Sequence, residues 1–232
     1  MFDKLGDRLA VGWVLRAVAH HRYRRHDFAG ARAAYEQALA IFREAGARSN
    51  LASIFNMQGE LARCEGDYRQ AEQSYRRALA LYQELGADWG LDIVRINLGY
   101  VALHDGDIQP AAHLFREALT HFRRRGESDE TCLVLAAIAG LAGCVSTASG
   151  DREAAVEAAR LLGAVGGQLK ARGYELDPAD GMVFDHSADT VRAWLGDPDF
   201  EAGWVQGHDL SLTQSVEAAM RIVGRLEKNA RV

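Results

Sequence analysis

Stacked pairs of antiparallel helices, in an all-α fold, are what these 232 residues predict, on three grounds. Only three prolines interrupt a composition rich in alanine, leucine, glutamate and arginine, which favours helix and opposes a many-turned β architecture. Shifting the chain against itself by 40 residues superposes chemically matched positions, the mark of a repeat. Within each period, apolar and small residues recur at three- and four-residue steps over two successive stretches, the spacing that gives a helix one buried face.

The repeat is positional. Phe2, Phe42, Tyr82 and Phe122 coincide, as do Gly6, Gly46, Gly86 and Gly126. Asp27, Asp67 and Asp107 follow the same step, then Ala31, Ala71 and Ala111, then Tyr35, Tyr75 and Phe115, then Ala38, Ala78 and Ala118. Each period reads as two helices, for example SNLASIFNMQGELARCEG and DYRQAEQSYRRALALYQELG, parted at a Gly-Asp break. Asp67 is placed to cap the second helix, because its carboxylate can accept the free N–H groups of the first turn and suits the positive end of the helix dipole. Gly86 and its equivalents suit the left-handed position that ends that helix. Pro110 falls in a first turn, where no N–H donor is needed. Ala71 lets a neighbouring helix approach, and Tyr75 fills the wider gap beside Ala78. No pair can bury its apolar face alone, so the pairs must stack, each on its neighbours.

Gly59, Ala62, Ala71 and Tyr75, and in the next copy Leu98, Gly99, Ala102, Ala111 and Phe115, resemble the tetratricopeptide pattern L-G-x-x-Y … A-x-x-x-F. That resemblance implies a right-handed superhelix whose inner wall is made by the first helices. A period longer than the usual ~34 residues implies longer helices. Glycine replaces the usual proline after the second helix, and Arg22 stands where Ala62 and Ala102 stand in later copies.

The tail carries a second resemblance. Ala159 to Ala164, Leu169, Gly173, Leu176, Pro178, Arg192, Leu195, Gly196, Phe200, Trp204, Gly207, Leu210 and Val216 are, in order and spacing, similar to the C-terminal end of the tetratricopeptide regions of large ATP-binding LuxR-type bacterial transcription regulators, the relatives of the maltose regulator. With it, FDKLGDR at residues 2–8 reads as the tail of a preceding second helix, so the chain is expected to be part of a longer array. The expected organisation is a repeat array over 1–172, with that tail at 1–7 and then four helix pairs, followed by a loop and C-terminal capping helices over 173–232. The function implied is a non-enzymatic interaction or sensor region of a transcription regulator. A free-standing adaptor that bridges partner proteins is the alternative.

A net charge of −5 and a pI near 5.9 give no electrostatic footprint for direct nucleic-acid or membrane-surface binding. One local exception is the cluster Arg16, His20, His21, Arg22, Arg24, Arg25 and His26, which can meet an acidic partner or a phosphate backbone, or be a solvated helix end. Three cysteines without a C-x-x-C pair signal neither a disulfide framework nor a zinc site, and a cytoplasmic setting is expected. Thr131 to Gly150 carries no charge, yet it fills a repeat slot and reads as a buried core helix rather than a membrane span.

No catalytic signature is present: neither H-E-x-x-H, nor G-x-S-x-G, nor the G-x-x-x-x-G-K-[ST] phosphate loop. Neither an enzyme, a cofactor nor a metal is expected. DPADGMVFDHSAD, Asp177 to Asp189, departs from the calcium-loop template at Ala179 and Gly181 and reads as an exposed linker. His208 and Asp209 read as a helix-end pair, and Trp194 and Trp204 as packing between terminal helices.

The tetratricopeptide resemblance places the inner wall on Arg16 and His20, then Asn56, Glu60 and Arg63, then Ile96, Tyr100 and His104. Such a surface suits an extended peptide or small effector, with Arg16 and Asn56 gripping a carboxylate and Tyr100 supplying an apolar wall. The alternative is an unspecialised solvated face. The fourth wall, Ala137, Gly140 and Cys144, is small and uncharged, in a unit whose capping aspartates, Asp107 and Asp151, stand 44 apart. Either the chain's own terminal segment around Trp194 to Leu212 or an apolar effector is expected to cover it, the first being favoured because the chain supplies its own apolar cover. A homodimer through an apolar edge near Phe2 and Leu5 is a further expectation.

Overall fold

A computed structural model describes residues 2–125 and 129–229. Among these residues every regular element is a helix and there is no strand. Eight helices form the repeats: α1 (Phe2–Arg24) and α2 (Phe28–Glu44), α3 (Arg48–Cys64) and α4 (Tyr68–Leu85), α5 (Asp88–His104) and α6 (Ile108–Arg125), α7 (Asp129–Ser149) and α8 (Arg152–Arg172). Three follow: α9 (Pro178–Leu195), α10 (Asp197–His208) and α11 (Leu212–Asn229). This is an all-α, tetratricopeptide-like repeat fold. Gly126 and the side chains of Phe2 and Leu5 lie outside the described residues, and with them the expected matches at those positions and the apolar edge.

The chain divides into two compact units. One comprises Met1–Asn97 with Asp177–Ala179, the other Leu98–Leu176 with Asp180–Val232. The parting falls inside α5. At the start, α1 continues unbroken through Gly6. Glycine weakens a helix interior by about 1 kcal/mol without forbidding it.

The same capping logic recurs in successive pairs. Carboxylates of Asp27, Asp67 and Asp151 accept the N–H groups of Gly30, Gln70 and Ala154 at 2.9, 2.9 and 3.0 Å. After the first helices, the N–H groups of Asp27, Asp67 and Asp107 return to the carbonyls of Arg22, Ala62 and Ala102 at 3.0, 2.9 and 2.8 Å. That closure needs a left-handed residue just before the aspartate. Gly66 and Gly106 supply it at φ 78° and 80°, whereas the first copy uses His26 at φ 60°. Gly46 and Gly86 do the same after the second helices, at φ 65° and 62°.

In the first unit core aromatics of the second helices seat on positions too small to obstruct them. A Cβ at Gly59 would meet the Tyr75 ring at 2.4 Å. In the preceding pair Ala19 and Tyr35 share one fully buried cluster with Tyr23, Ala31, Ala38 and Phe42. Ion pairs Arg8 to Glu44 and Arg48 to Glu84 join the start of each first helix to the end of its partner, which fixes the antiparallel sense. Arg22, in the slot held later by alanine, turns to the start of α2 and donates to the Gly30 carbonyl at 3.2 Å.

In the second unit Phe115 repeats the seating, with a Cβ at Gly99 falling 2.3 Å from its ring. The helix α7 is long and apolar enough to cross a membrane, but 72% of its apolar window is buried inside the fold, as a core helix requires. Glycines then set the crossing of α8 with α10. A Cβ at Gly163 would lie 2.1 Å from the Trp204 carbonyl, and one at Gly207 would lie 1.8 Å from the Arg160 carbonyl. The Trp204 ring lies against Gly166 and is flanked by Phe184 and Phe200, at centroid distances of 6.2 and 5.7 Å. Arg192 stacks over Phe200 at 4.3 Å and reaches Glu201 at 2.8 Å. Against α6, the Gln109 side chain donates to the Leu226 carbonyl of α11 at 2.9 Å.

The acidic stretch 177–189 is not a linker. It forms the first three turns of α9, with Pro178 at its start, where a missing N–H costs nothing. Asp185 and Asp189 are exposed, whereas Asp180 is buried in the first turn, and Ala179, Ser187, Val191 and Leu195 are buried at four- or eight-residue spacings.

Candidate partner-binding face

Register places positions 13, 16, 20, 23 and 24 of α1 on one helical face, and their copies 40 residues later on the matching face of α3. At the α1 end this face is open. Trp13 is 54% exposed, Arg16 is exposed, and His20 is half-buried, with its ring 6.2 Å from that of Tyr23. The Arg16 guanidinium donates to Ser53 Oγ at 3.3 Å. Trp13 and Ser53 were not among the expected wall residues, although the same 40-residue step links them.

At α3 the face is closed, which corrects the expectation of an exposed wall there. Asn56, Glu60 and Arg63 are buried, each at 5% exposure or less. The Asn56 amide donates to Glu60 Oε1 at 2.8 Å and accepts from the Asn97 amide at 3.0 Å. A buried amide with its donor and acceptor engaged in this way has no reason to leave them for a ligand carboxylate. Arg16 and Asn56 therefore do not form one grip. Next to this network the Tyr35 hydroxyl is buried and makes no hydrogen bond. Burial, and then the carboxylates of Glu60 and Asp177, push its ionisation far above the ordinary tyrosine range, with Arg16 opposing. Tyr82 is pushed the same way, by burial first and more weakly by Glu60, again with Arg16 opposing.

The far end of the α1 face is taken by the chain itself. The Tyr23 hydroxyl accepts the Ala179 N–H at 3.0 Å, and the Arg24 guanidinium meets Asp177 Oδ1 at 3.0 Å. The basic cluster thus meets acidic partners inside the same compact unit, Asp177 through Arg24 and Asp27 through Arg22, the latter at 3.8 Å. Sequence reasoning missed Tyr23, although its register, three positions before the left-handed residue, matches that of Arg63.

In the second unit Tyr100 is a core side chain and not a wall. It is 3% exposed and meets Phe115 edge-on at 5.6 Å. His104, in the last turn of α5, is exposed. Ile96, in the first unit, is buried. On α7, Ala137 is buried and a Cβ at Gly140 would meet Ser187 Oγ at 2.8 Å, while one at Gly143 would meet Val191 at 2.7 Å. The covering segment is α9, earlier in the chain than the expected residues 194–212, whose helix α10 packs instead on α8. His208 and Asp209 form an exposed contact of 3.8 Å at the end of α10.

The family model described as tetratricopeptide repeat matches residues 10–84 and, in a second overlapping stretch, residues 50–124. These matches begin within α1 and end within α6, and they support a tetratricopeptide array over that span. Repeats of this kind are typically non-enzymatic modules that bind protein partners. Comparison with curated proteins returns no match.

Proposed function

We propose that the chain is the interaction and sensing region of a bacterial transcription regulator, and that it takes an acidic peptide or small acidic effector on the open part of the α1 face. Trp13, Arg16 and His20 are the residues assigned to contact it. The observation that carries the reading is the contrast along one register: Arg16 presents its charge to solvent, whereas Asn56, Glu60 and Arg63 are buried. An exposed guanidinium beside an exposed indole recognises a carboxylate attached to an apolar group, through a charge-assisted hydrogen bond and a flat stacking surface.

The regulator context rests on the resemblance of the tail residues Ala159 to Val216. A cytoplasmic setting follows from that context. Selection from a library of short acidic peptides, with binding read by the anisotropy of a labelled peptide, tests the binding reading. Arg16→Ala is expected to weaken the selected peptides by about 1.5–3 kcal/mol, the worth of a charged hydrogen bond. Unchanged affinity in that variant removes the assignment.

A further inference from the structure

The first unit carries a groove of about 530 Å³ between α2 and α4, with Phe55 and Gln58 of α3 between its walls. No residue of α1 lines it. On α4, Arg69, Gln73 and Arg77 stand at four-residue steps on one face, and Arg32 and Arg43 line the α2 side. Four guanidinium groups thus share the groove with two carboxylates, Glu36 and Asp67. One group of each sign is already committed: Asp67 caps α4 through the Gln70 N–H at 2.9 Å, and Arg32 pairs with Glu65. Among the described residues Arg43, Arg69 and Arg77 pair with no carboxylate, and Arg77 lies over the Phe55 ring at 5.8 Å. Glu36 is the one uncommitted carboxylate of the lining, so positive charge is in excess there although the whole chain carries −5.

Helix stacking does not require this set of side chains. Forty residues on, the slots of Arg32, Arg43, Arg69 and Arg77 hold Glu72, Gln83, Gln109 and Glu117. Those of Gln58 and Ser74 hold Leu98 and Leu114. In the groove Ser74 is buried at 7% exposure and Gln58 is half-buried. Polar side chains at such sites cost stability unless a partner or water bonds them, and leucine in the next copy avoids that cost.

We propose that this groove binds a small polyanion carrying two or more linked phosphate groups. A carboxylate offers one charge and two oxygens. Each phosphate group offers close to two charges and three oxygens, which suits several guanidinium forks together with the amides of Gln58 and Gln73. Arg69 and Arg77 stand two turns apart, about 12 Å along α4, a span that favours linked phosphates over a single one. A nucleic acid is the poorer ligand, because the unpaired cations are confined to one groove of an acidic chain. This inference does not rest on the α1-face reading and uses none of its residues.

The test is calorimetric titration of the full chain with inorganic triphosphate at low salt, with citrate as the carboxylate comparison. Triphosphate is expected to bind roughly tenfold more tightly than citrate, and Arg69→Gln or Arg77→Gln to weaken it roughly tenfold, the effect of one charge-assisted contact. Glu36→Gln should tighten binding severalfold, because it removes the opposing charge, and a misfolded variant cannot mimic a gain. Arg123→Gln, which removes an exposed charge of α6, and Arg16→Ala should leave the affinity unchanged. Absence of binding at millimolar triphosphate, equal binding of citrate, or unchanged affinity in Arg69→Gln and Arg77→Gln overturns the proposal. So does a loss shared by Arg123→Gln, which would mean attraction by overall charge. A loss in Arg16→Ala would overturn it as well, by moving the anion to the α1 face.

Discussion

The hydroxyl of Tyr23 accepts the backbone N–H of Ala179 at 3.0 Å across 156 positions of sequence, and both residues are buried. Tyr23→Phe removes the acceptor and leaves that N–H buried without it. The expected loss is about 1–3 kcal/mol, the penalty for an unsatisfied buried donor. Chemical denaturation of the unit's signal checks it, and an unmoved midpoint would show that the contact carries no stability. Arg24→Ala should cost less, under about 1 kcal/mol, because its pairing with Asp177 is partly solvated.

His26 holds a left-handed conformation at φ 60°, where the later copies have Gly66 and Gly106. His26→Gly relieves a backbone strain of about 1–2 kcal/mol, offset in part by the greater freedom of glycine in the unfolded chain and by loss of the edge contact with Phe28 at 5.6 Å. A net gain of about 0.5–1 kcal/mol is expected, read as a raised thermal midpoint. A lowered midpoint would mean that the ring contact outweighs the strain.

Two glycines in the second unit should respond in opposite directions to the same change. At Gly207 a methyl group would meet the Arg160 carbonyl at 1.8 Å, so Gly207→Ala must push α10 from α8 and should cost about 3 kcal/mol or more. At Gly224 nothing lies within 4 Å, and Gly224→Ala should stabilise α11 by about 0.5–1 kcal/mol. Parallel thermal melts of the two variants decide this, and equal effects would contradict the glycine-mediated crossing.

Alkaline pH should unfold the first unit. Tyr35 holds its proton in the fold well beyond the value near 10 of a solvated tyrosine, and Tyr82 is shifted in the same direction. The folded state therefore binds more protons than the unfolded one above about pH 10, so stability is intact below that pH and falls as pH rises past it. Tyr35→Phe should reduce this alkaline loss. At neutral pH it should be neutral or stabilising by up to about 1 kcal/mol, because the hydroxyl it removes makes no hydrogen bond. A variant with an unchanged pH profile would place the alkaline sensitivity elsewhere.

The hairpins were legible because each repeat position does one physical job that few residues can do. An aspartate caps, a glycine turns left-handed, and an aromatic seats on Gly59 or Gly99. The candidate face was legible only in part. Its register could be read, but closure at α3 depends on Asn97 reaching Asn56, a contact over 41 positions for which the repeat gives no cue. The one local sign was the spacing of four between Asn56 and Glu60, which lets an amide and a carboxylate pair along a helix. The opening of α9 was hidden by its own charges. Asp177, Asp180, Asp185 and Asp189 suggested a solvated loop, while the buried positions Ser187 and Val191 are too small or too few to announce a core helix.

Hydrogen exchange of the full chain with and without a library-selected acidic peptide tests the central claim most directly, because it locates the contact without presuming it. Protection gathered in α1 around residues 13–20, and lost with Arg16→Ala, is the predicted result. Protection confined to α10 and α11, or a pattern unchanged by that substitution, would contradict recognition by the α1 face.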